Sequence, residues 1–91
     1  MIWVKQHNGV LAACDEELLG KTFQQGEVFL EVKEDFYKGE LVGEKEFVDA
    51  LRKNDNINLV GEKVVSLAKK EKMVAEVKKV EEVPYALIFR F

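Results

Sequence analysis

Two apolar-rich runs, Ile2 to His7 and Val10 to Asp15, flank the dipeptide Asn8-Gly9. Both turn residues tolerate the positive φ of a two-residue primed turn, so the pattern predicts a β-hairpin. The short loop also sets the register. His7 pairs with Val10, Lys5 with Ala12 and Trp3 with Cys14 on one face, while Ile2, Val4, Gln6, Leu11, Ala13 and Asp15 share the other. The second face is the expected core side, and Trp3 and Cys14 either pack on a second layer or stay partly exposed.

Beyond the hairpin, Asp15 is expected to cap a short helical turn, with Glu16 and Glu17 at its positive end and Gly20 closing it in the left-handed conformation. A turn at Gln25-Gly26 leads into residues 27–33, where Val28, Leu30 and Val32 alternate with Glu27, Phe29, Glu31 and Lys33, the period of a half-buried strand. Residues 40–42 predict another short strand. Residues 44–53 predict a helix, since Phe47, Val48 and Leu51 fall on one face and Arg52 and Lys53 sit at its negative end. Asn54-Asp55-Asn56 breaks it.

A second helix is expected over residues 57–71, because Ile57, Val60, Val64, Leu67 and Ala68 recur at helical spacing and Lys69, Lys70 and Lys72 crowd its C-terminus. Gly61 inside that helix would cost about 1 kcal/mol relative to alanine unless a neighbour needs close approach. Val74, Val77, Val80 and Val83 recur every three residues, which suits neither period, so residues 74–82 are expected to be mixed. The tail from Val83 to Phe91 predicts an inner strand, with Tyr85, Leu87, Phe89 and Phe91 on one face, Ala86, Ile88 and Arg90 on the other, and Pro84 at its entrance. The order of elements gives an α+β fold in one domain over residues 1–91. Its expected form is a small mixed or antiparallel sheet, in which the C-terminal strand joins the N-terminal hairpin and two consecutive helices pack on the sheet.

Ninety-one residues allow one core, burying roughly 60–65% of the surface that the unfolded chain exposes. A self-contained catalytic cleft would compete with that core for apolar side chains, so the balance leans away from an enzyme. The single cysteine has no intramolecular disulfide partner. No stretch approaches the ~20 apolar residues that cross a bilayer, and the N-terminus lacks a basic region followed by an apolar run. The expectation is a cytoplasmic protein without membrane contact. The net charge of −3 conceals a polarity. Residues 1–62 carry 7 basic and 13 acidic side chains and residues 63–91 carry 7 and 4, so the two parts stand at −6 and +3.

The densest candidate chemistry is Cys14-Asp15-Glu16-Glu17-Leu18-Leu19-Gly20-Lys21-Thr22-Phe23. Gly20-Lys21-Thr22 resembles the end of a phosphate-binding P-loop, but Asp15 occupies the position where that motif requires glycine, and three carboxylates would repel a polyphosphate. A Cys14–His7 dyad fails on the hairpin register, which separates the two by roughly 14 Å at about 3.4 Å per residue. One cysteine, one distant histidine and divergent carboxylates form no metal set, so no catalytic residue, metal or cofactor is expected. Asn58-Leu59-Val60-Gly61-Glu62 is expected to open the second helix, with Asn58 and Glu62 one turn apart as a polar patch, or as plain capping. Lys63, Lys69, Lys70, Lys72, Lys78, Lys79 and Arg90 supply the cationic surface, with Trp3, Tyr37 and Tyr85 as possible stacking groups. Glu71, Glu76, Glu81 and Glu82 dilute its field.

The two motifs Cys14 to Phe23 and Asn58 to Glu62, with Phe36-Tyr37 and Val83-Pro84, resemble a small archaeal family of unknown function, the domain of unknown function numbered four hundred and twenty-four. The resemblance spans nearly the whole chain. Family members often carry histidine after the proline where this chain has Tyr85, so no imidazole role carries over to that position. The resemblance implies an archaeal cytoplasmic housekeeping protein with an RNA or ribosome partner.

Three functional expectations follow. The first is a noncatalytic module that binds RNA or a ribonucleoprotein through Lys69, Lys70, Lys72, Lys78 and Lys79. The second is a small-molecule binder or enzyme whose site combines Cys14, Asp15, Lys21, Asn58 and Glu62. The third is a homodimer or partner-docking protein using Trp3 or an exposed strand edge.

Overall fold

The computed structural model describes residues 1–74 and 76–90. The hairpin forms in the expected register: β1 (Ile2–His7) and β2 (Val10–Asp15) pair His7 with Val10, Lys5 with Ala12 and Trp3 with Cys14. A 3-10 turn (Glu16–Leu18) follows, and Gly20 closes it at φ +83°. Next come β3 (Thr22–Gln25), β4 (Val28–Glu31), the single-turn helix α1 (Glu34–Tyr37), β5 (Glu40–Val42) and α2 (Glu44–Arg52). The chain ends with β6 (Asn56–Val60), α3 (Glu62–Lys70), β7 (Lys78–Val80) and β8 (Val83–Phe89).

The main sheet is mixed and runs β5-β1-β2-β6-β8-β7; β3 and β4 form a separate hairpin. Among the described residues only β2 and β6 pair in parallel, and residues 16–55 form the crossover between them, as a parallel pair requires. The hairpin and the C-terminal strand share this sheet, as expected, with β6 between β2 and β8. One expectation is corrected: residues 57–60 are strand, and of the stretch 57–71 only Glu62–Lys70 is helical.

The physical reason lies in burial from both sides. Ile57 and Leu59 face the helices while Val60 enters the opposite core, so a central strand buries a nearly continuous apolar run that also fits a helical period. Gly61 then takes φ +126° at the junction, which ends the strand and starts α3. Asp15, expected to cap the turn next to it, makes no side-chain bond there. Its Oδ2 accepts from the Lys63 amide at 2.9 Å and its Oδ1 from the Val64 amide at 3.0 Å, so it caps α3. Strand β7 falls inside the stretch read as mixed, and Phe91, placed by the sequence on the Tyr85 face of the last strand, lies outside the described residues.

Both faces of the sheet carry a packed layer. On the first, Ile2, Leu11, Ala13, Ile57, Leu59 and Ile88 pack against Phe47 and Leu51 of α2 and Val64, Val65 and Ala68 of α3. On the second, Ala12, Cys14 and Val60 pack beneath Val32 and Tyr37, with Trp3, Leu18, Leu19, Phe23, Leu30 and Phe36 around them. Trp3 and Cys14 therefore belong to a second layer. The β3–β4 hairpin reaches the turn between β7 and β8, where the Gln24 amide donates to Glu81 Oε2 at 2.5 Å and the Glu81 amide to Gln25 Oε1 at 2.7 Å. Beside this bridge the second face stays open, and Leu87 and Phe89 are 60% and 65% exposed.

Candidate functional site

Strand alternation places His7 of β1, Asn58 of β6, and Tyr85 and Leu87 of β8 on the second face, next to α1 and β4. Here α1 and β4 stand off the sheet. The resulting groove, about 660 Å³ in volume, is lined by those four residues with Phe29, Leu30 and Glu31 of β4, Lys33, and Asp35, Phe36 and Tyr37 of α1. Such a volume is in the range of small-molecule sites, which combine apolar walls with a few convergent polar groups.

Two polar contacts organise the groove. The Tyr37 hydroxyl, on a residue only 4% exposed, donates to Asn58 Oδ1 at 2.9 Å. Burial, with a smaller effect from Cys14, pushes the Tyr37 hydroxyl pKa up, so it remains a donor. With Oδ1 occupied, Asn58 Nδ2 has no acceptor among the described residues, and Asn58 lines the groove. His7 Nε2 lies 2.8 Å from the Phe36 carbonyl; a carbonyl only accepts, so Nε2 carries the proton. The His7 ring also stacks on Phe36 at 4.5 Å between centroids.

The residues singled out by sequence are divided by the fold. Cys14 and Asn58 lie on the same face of adjacent strands, Cys14 opposite Val60 and Asn58 opposite Ala12. Cys14 is fully buried, and burial first, then the charges of Asp15 and Glu17, push its thiol up to about 12. Asp15 is spent on the N-terminus of α3, and burial raises its carboxyl above the ordinary value against the lowering pull of the two amides. Asn58 and Glu62 are not one turn apart, since one belongs to β6 and the other opens α3. Lys21 and Glu62 are exposed and line no part of the groove. Thr22 begins a strand after Lys21, so the P-loop resemblance finds no helix to open.

The lysines occupy different sides of the molecule. Lys69 and Lys70 end α3, on the helical face, with Lys72 just beyond. Lys78 and Lys79 sit on the edge strand β7, Lys78 opposite Tyr85 on the groove face and Lys79 opposite Pro84 on the helical face. All five are exposed. Trp3 is half-buried, with Lys38 Nζ 5.8 Å from its ring centroid. Among the described residues, no group of three or more His, Cys, Asp or Glu side chains could hold a metal ion, and no helix is long and apolar enough to cross a membrane.

His7, Phe29, Phe36 and Leu87 were not singled out as site residues from the sequence, although Tyr37 and Tyr85 were noted as rings. A signal was present in the predicted face of the last strand, where Tyr85, Leu87 and Phe89 alternate with the buried Ala86 and Ile88. What covers that face depends on the placement of β4 and α1, which no local pattern specifies.

The fold is similar to that in a crystal structure of an uncharacterized conserved protein from Methanopyrus kandleri, with a TM-score of 0.75 and 24% identity, over 99% of this chain and 94% of that one. No protein of curated function matches the sequence. The family described as proteins of unknown function, DUF424, matches residues 4–91, the hairpin through the last strand, and the chain belongs to it.

Proposed function

We propose that this protein is a noncatalytic module that binds RNA or a ribonucleoprotein. The observation that carries the reading is the open part of the second sheet face. Tyr85, Leu87 and Phe89 stand in a row on β8 beside Asn58 and Asn56, with Lys78 at the edge and Lys33 across the groove. Unpaired bases stack on exposed rings held by a sheet and are read by side-chain amides, while nearby lysines meet phosphate. Strand β7 presents Lys78 to the groove face and Lys79 to the helical face, the face that also carries Lys69, Lys70 and Lys72 at the end of α3. Glu31, Asp35 and Glu76 weaken the local field, so stacking and hydrogen bonds carry a large share of the affinity.

The test is cosedimentation with ribosomal subunits and total archaeal RNA at low and moderate salt. The reading expects binding that weakens with salt and falls about tenfold or more when Lys69, Lys70 and Lys72 are all changed to Glu. Binding that ignores both salt and the triple change excludes the lysine surface, and no association at either salt overturns the reading.

A second reading, a small-molecule-binding protein, is favoured by one observation, the Tyr37–Asn58 pair at the floor of a concave groove. In that reading Asn58 is retained from the sequence-based set, and the groove residues replace Lys21 and Glu62.

A further inference from the structure

We infer that the groove is a slot for a single nucleobase carrying an exocyclic amino group, with Asn58 as the residue that reads it. This rests on the RNA reading for one source of the base and stands without it for the other, a free nucleoside. The border of the groove suits a flat ring: it is lined by Phe29 and Leu30 of β4, whose side chains point to opposite faces of that strand, and by Tyr85 and Leu87 of β8. Phe29 and Leu87 are each 60% exposed, so these walls keep solvent-facing apolar surface that a stacked ring would cover.

The polar groups decide which ring. Asn58 Oδ1 accepts the hydrogen bond of the Tyr37 hydroxyl, which leaves the Nδ2 N–H groups of this groove-lining residue as donors. These suit a ring nitrogen or carbonyl. Among the other lining groups, the carboxylates of Glu31 and Asp35 accept, the Lys33 ammonium donates, and the Tyr85 hydroxyl can do either. Two carboxylate acceptors beside the Asn58 amide match adenine, cytosine or guanine, each of which pairs a ring or carbonyl acceptor with a two-donor amino group. Uracil has a single base-edge donor, N3–H, and leaves more of that acceptor capacity unmatched. The two carboxylates also disfavour a phosphate within the slot, which directs the backbone of a bound strand outward toward Lys33 and Lys78.

The experiment titrates the intact protein with adenosine, cytidine, guanosine and uridine by NMR, following the Asn58 side-chain amide. In parallel, fluorescence anisotropy compares a labelled oligoadenylate with an oligomer of the same length carrying abasic riboses. The expected result is that amino-bearing nucleosides or the oligoadenylate shift the Asn58 amide, while uridine and the abasic oligomer bind about tenfold more weakly, the scale of one lost base contact. Asn58→Leu and Leu87→Asp should each reproduce that loss. Leu87 is exposed, so its variant tests the wall without disturbing the core, and thermal melting confirms that both variants fold.

Binding of free nucleosides without the oligomer keeps the slot and refutes the RNA reading. Base-dependent binding of the oligomer alone keeps both and identifies RNA as the source. Equal binding of the abasic and intact oligomers, unaffected by Asn58→Leu, overturns the slot and leaves RNA binding standing. No binding of any nucleoside or oligomer overturns the slot.

Discussion

The carboxylate of Asp15 fills the space that a side chain at Gly61 would need: a Cβ built on Gly61 falls 2.3 Å from Asp15 Cγ. The last residue of β2 thereby reaches past the end of β6 to bond the first turn of α3, and only a glycine at the junction permits it. The role of Asp15 at the hairpin end is structural, since the acid that looked like part of a site holds two elements in place.

Gly61→Ala should therefore be severely destabilising. It combines φ +126° with a contact no Cβ can accept, and Asp15 is fixed by two amide bonds and cannot yield. Positive-φ strain alone costs of order 1–3 kcal/mol, and the clash adds to it, so the loss should exceed about 2 kcal/mol. Thermal denaturation should record a drop of roughly 8–15 °C. A shift within about 2 °C would mean that the junction relaxes freely.

The Tyr37–Asn58 bond predicts strong coupling. Tyr37→Phe leaves Asn58 Oδ1 without its donor in a half-buried site and should cost about 1–2 kcal/mol. In the Asn58→Leu background the same change should cost much less, because no acceptor remains to be stranded. A double-mutant cycle by urea denaturation reads the difference, and additive costs would show that the bond contributes nothing.

Cys14 sets an alkaline limit. Its folded pKa is raised from 9.0 to about 12, so between these values the unfolded chain loses the thiol proton while the folded chain keeps it. The folded state then binds more protons, and stability falls as pH rises, by up to about 1.4 kcal/mol per unit above pH 9 from this group. Cys14→Ala should flatten that part of the profile, leaving the fall that the raised Tyr37 pKa produces at higher pH. The buried thiol should also react with a disulfide reagent only at the rate at which the chain opens, and rapid labelling of the folded protein would contradict its placement.

Arg90 ties the end of β8 to the end of α2. Its Nη2 donates to the Leu51 carbonyl at 3.0 Å, near the C-terminus of α2, and also to the Asn54 carbonyl just beyond the helix. Both bonds come from one nitrogen at the tip of the guanidinium, which the shorter lysine side chain does not bring to the same place, so Arg90→Lys should cost about 1–2 kcal/mol in a chemical denaturation curve. If lysine were tolerated without loss, the guanidinium would be held there by charge alone.

The hairpin was legible because its determinants are local: Asn8-Gly9 sets the turn and the two-residue period sets the register. The helix over 44–52, the short strand at 40–42 and the last strand were legible for the same reason. Strand β6 was not, because Ile57, Val60 and Val64 satisfy a helical period as well as Ile57 and Leu59 satisfy a strand, and burial on both faces removes the alternation that would separate them. Asp15 was read as a local cap because its actual partners, the amides of Lys63 and Val64, are 48 and 49 residues away.

Sequence by itself determined the elements whose free energy is decided within a few neighbours, and the α+β class that their order implies. Tertiary structure decided where β6 enters the sheet, which acid caps which helix, and that His7, Tyr37, Asn58 and Leu87 meet around one groove. The division follows from range. A turn or an amphipathic period is written in adjacent residues, whereas the groove exists only because α1 and β4 cover one part of a sheet face and leave the neighbouring part open.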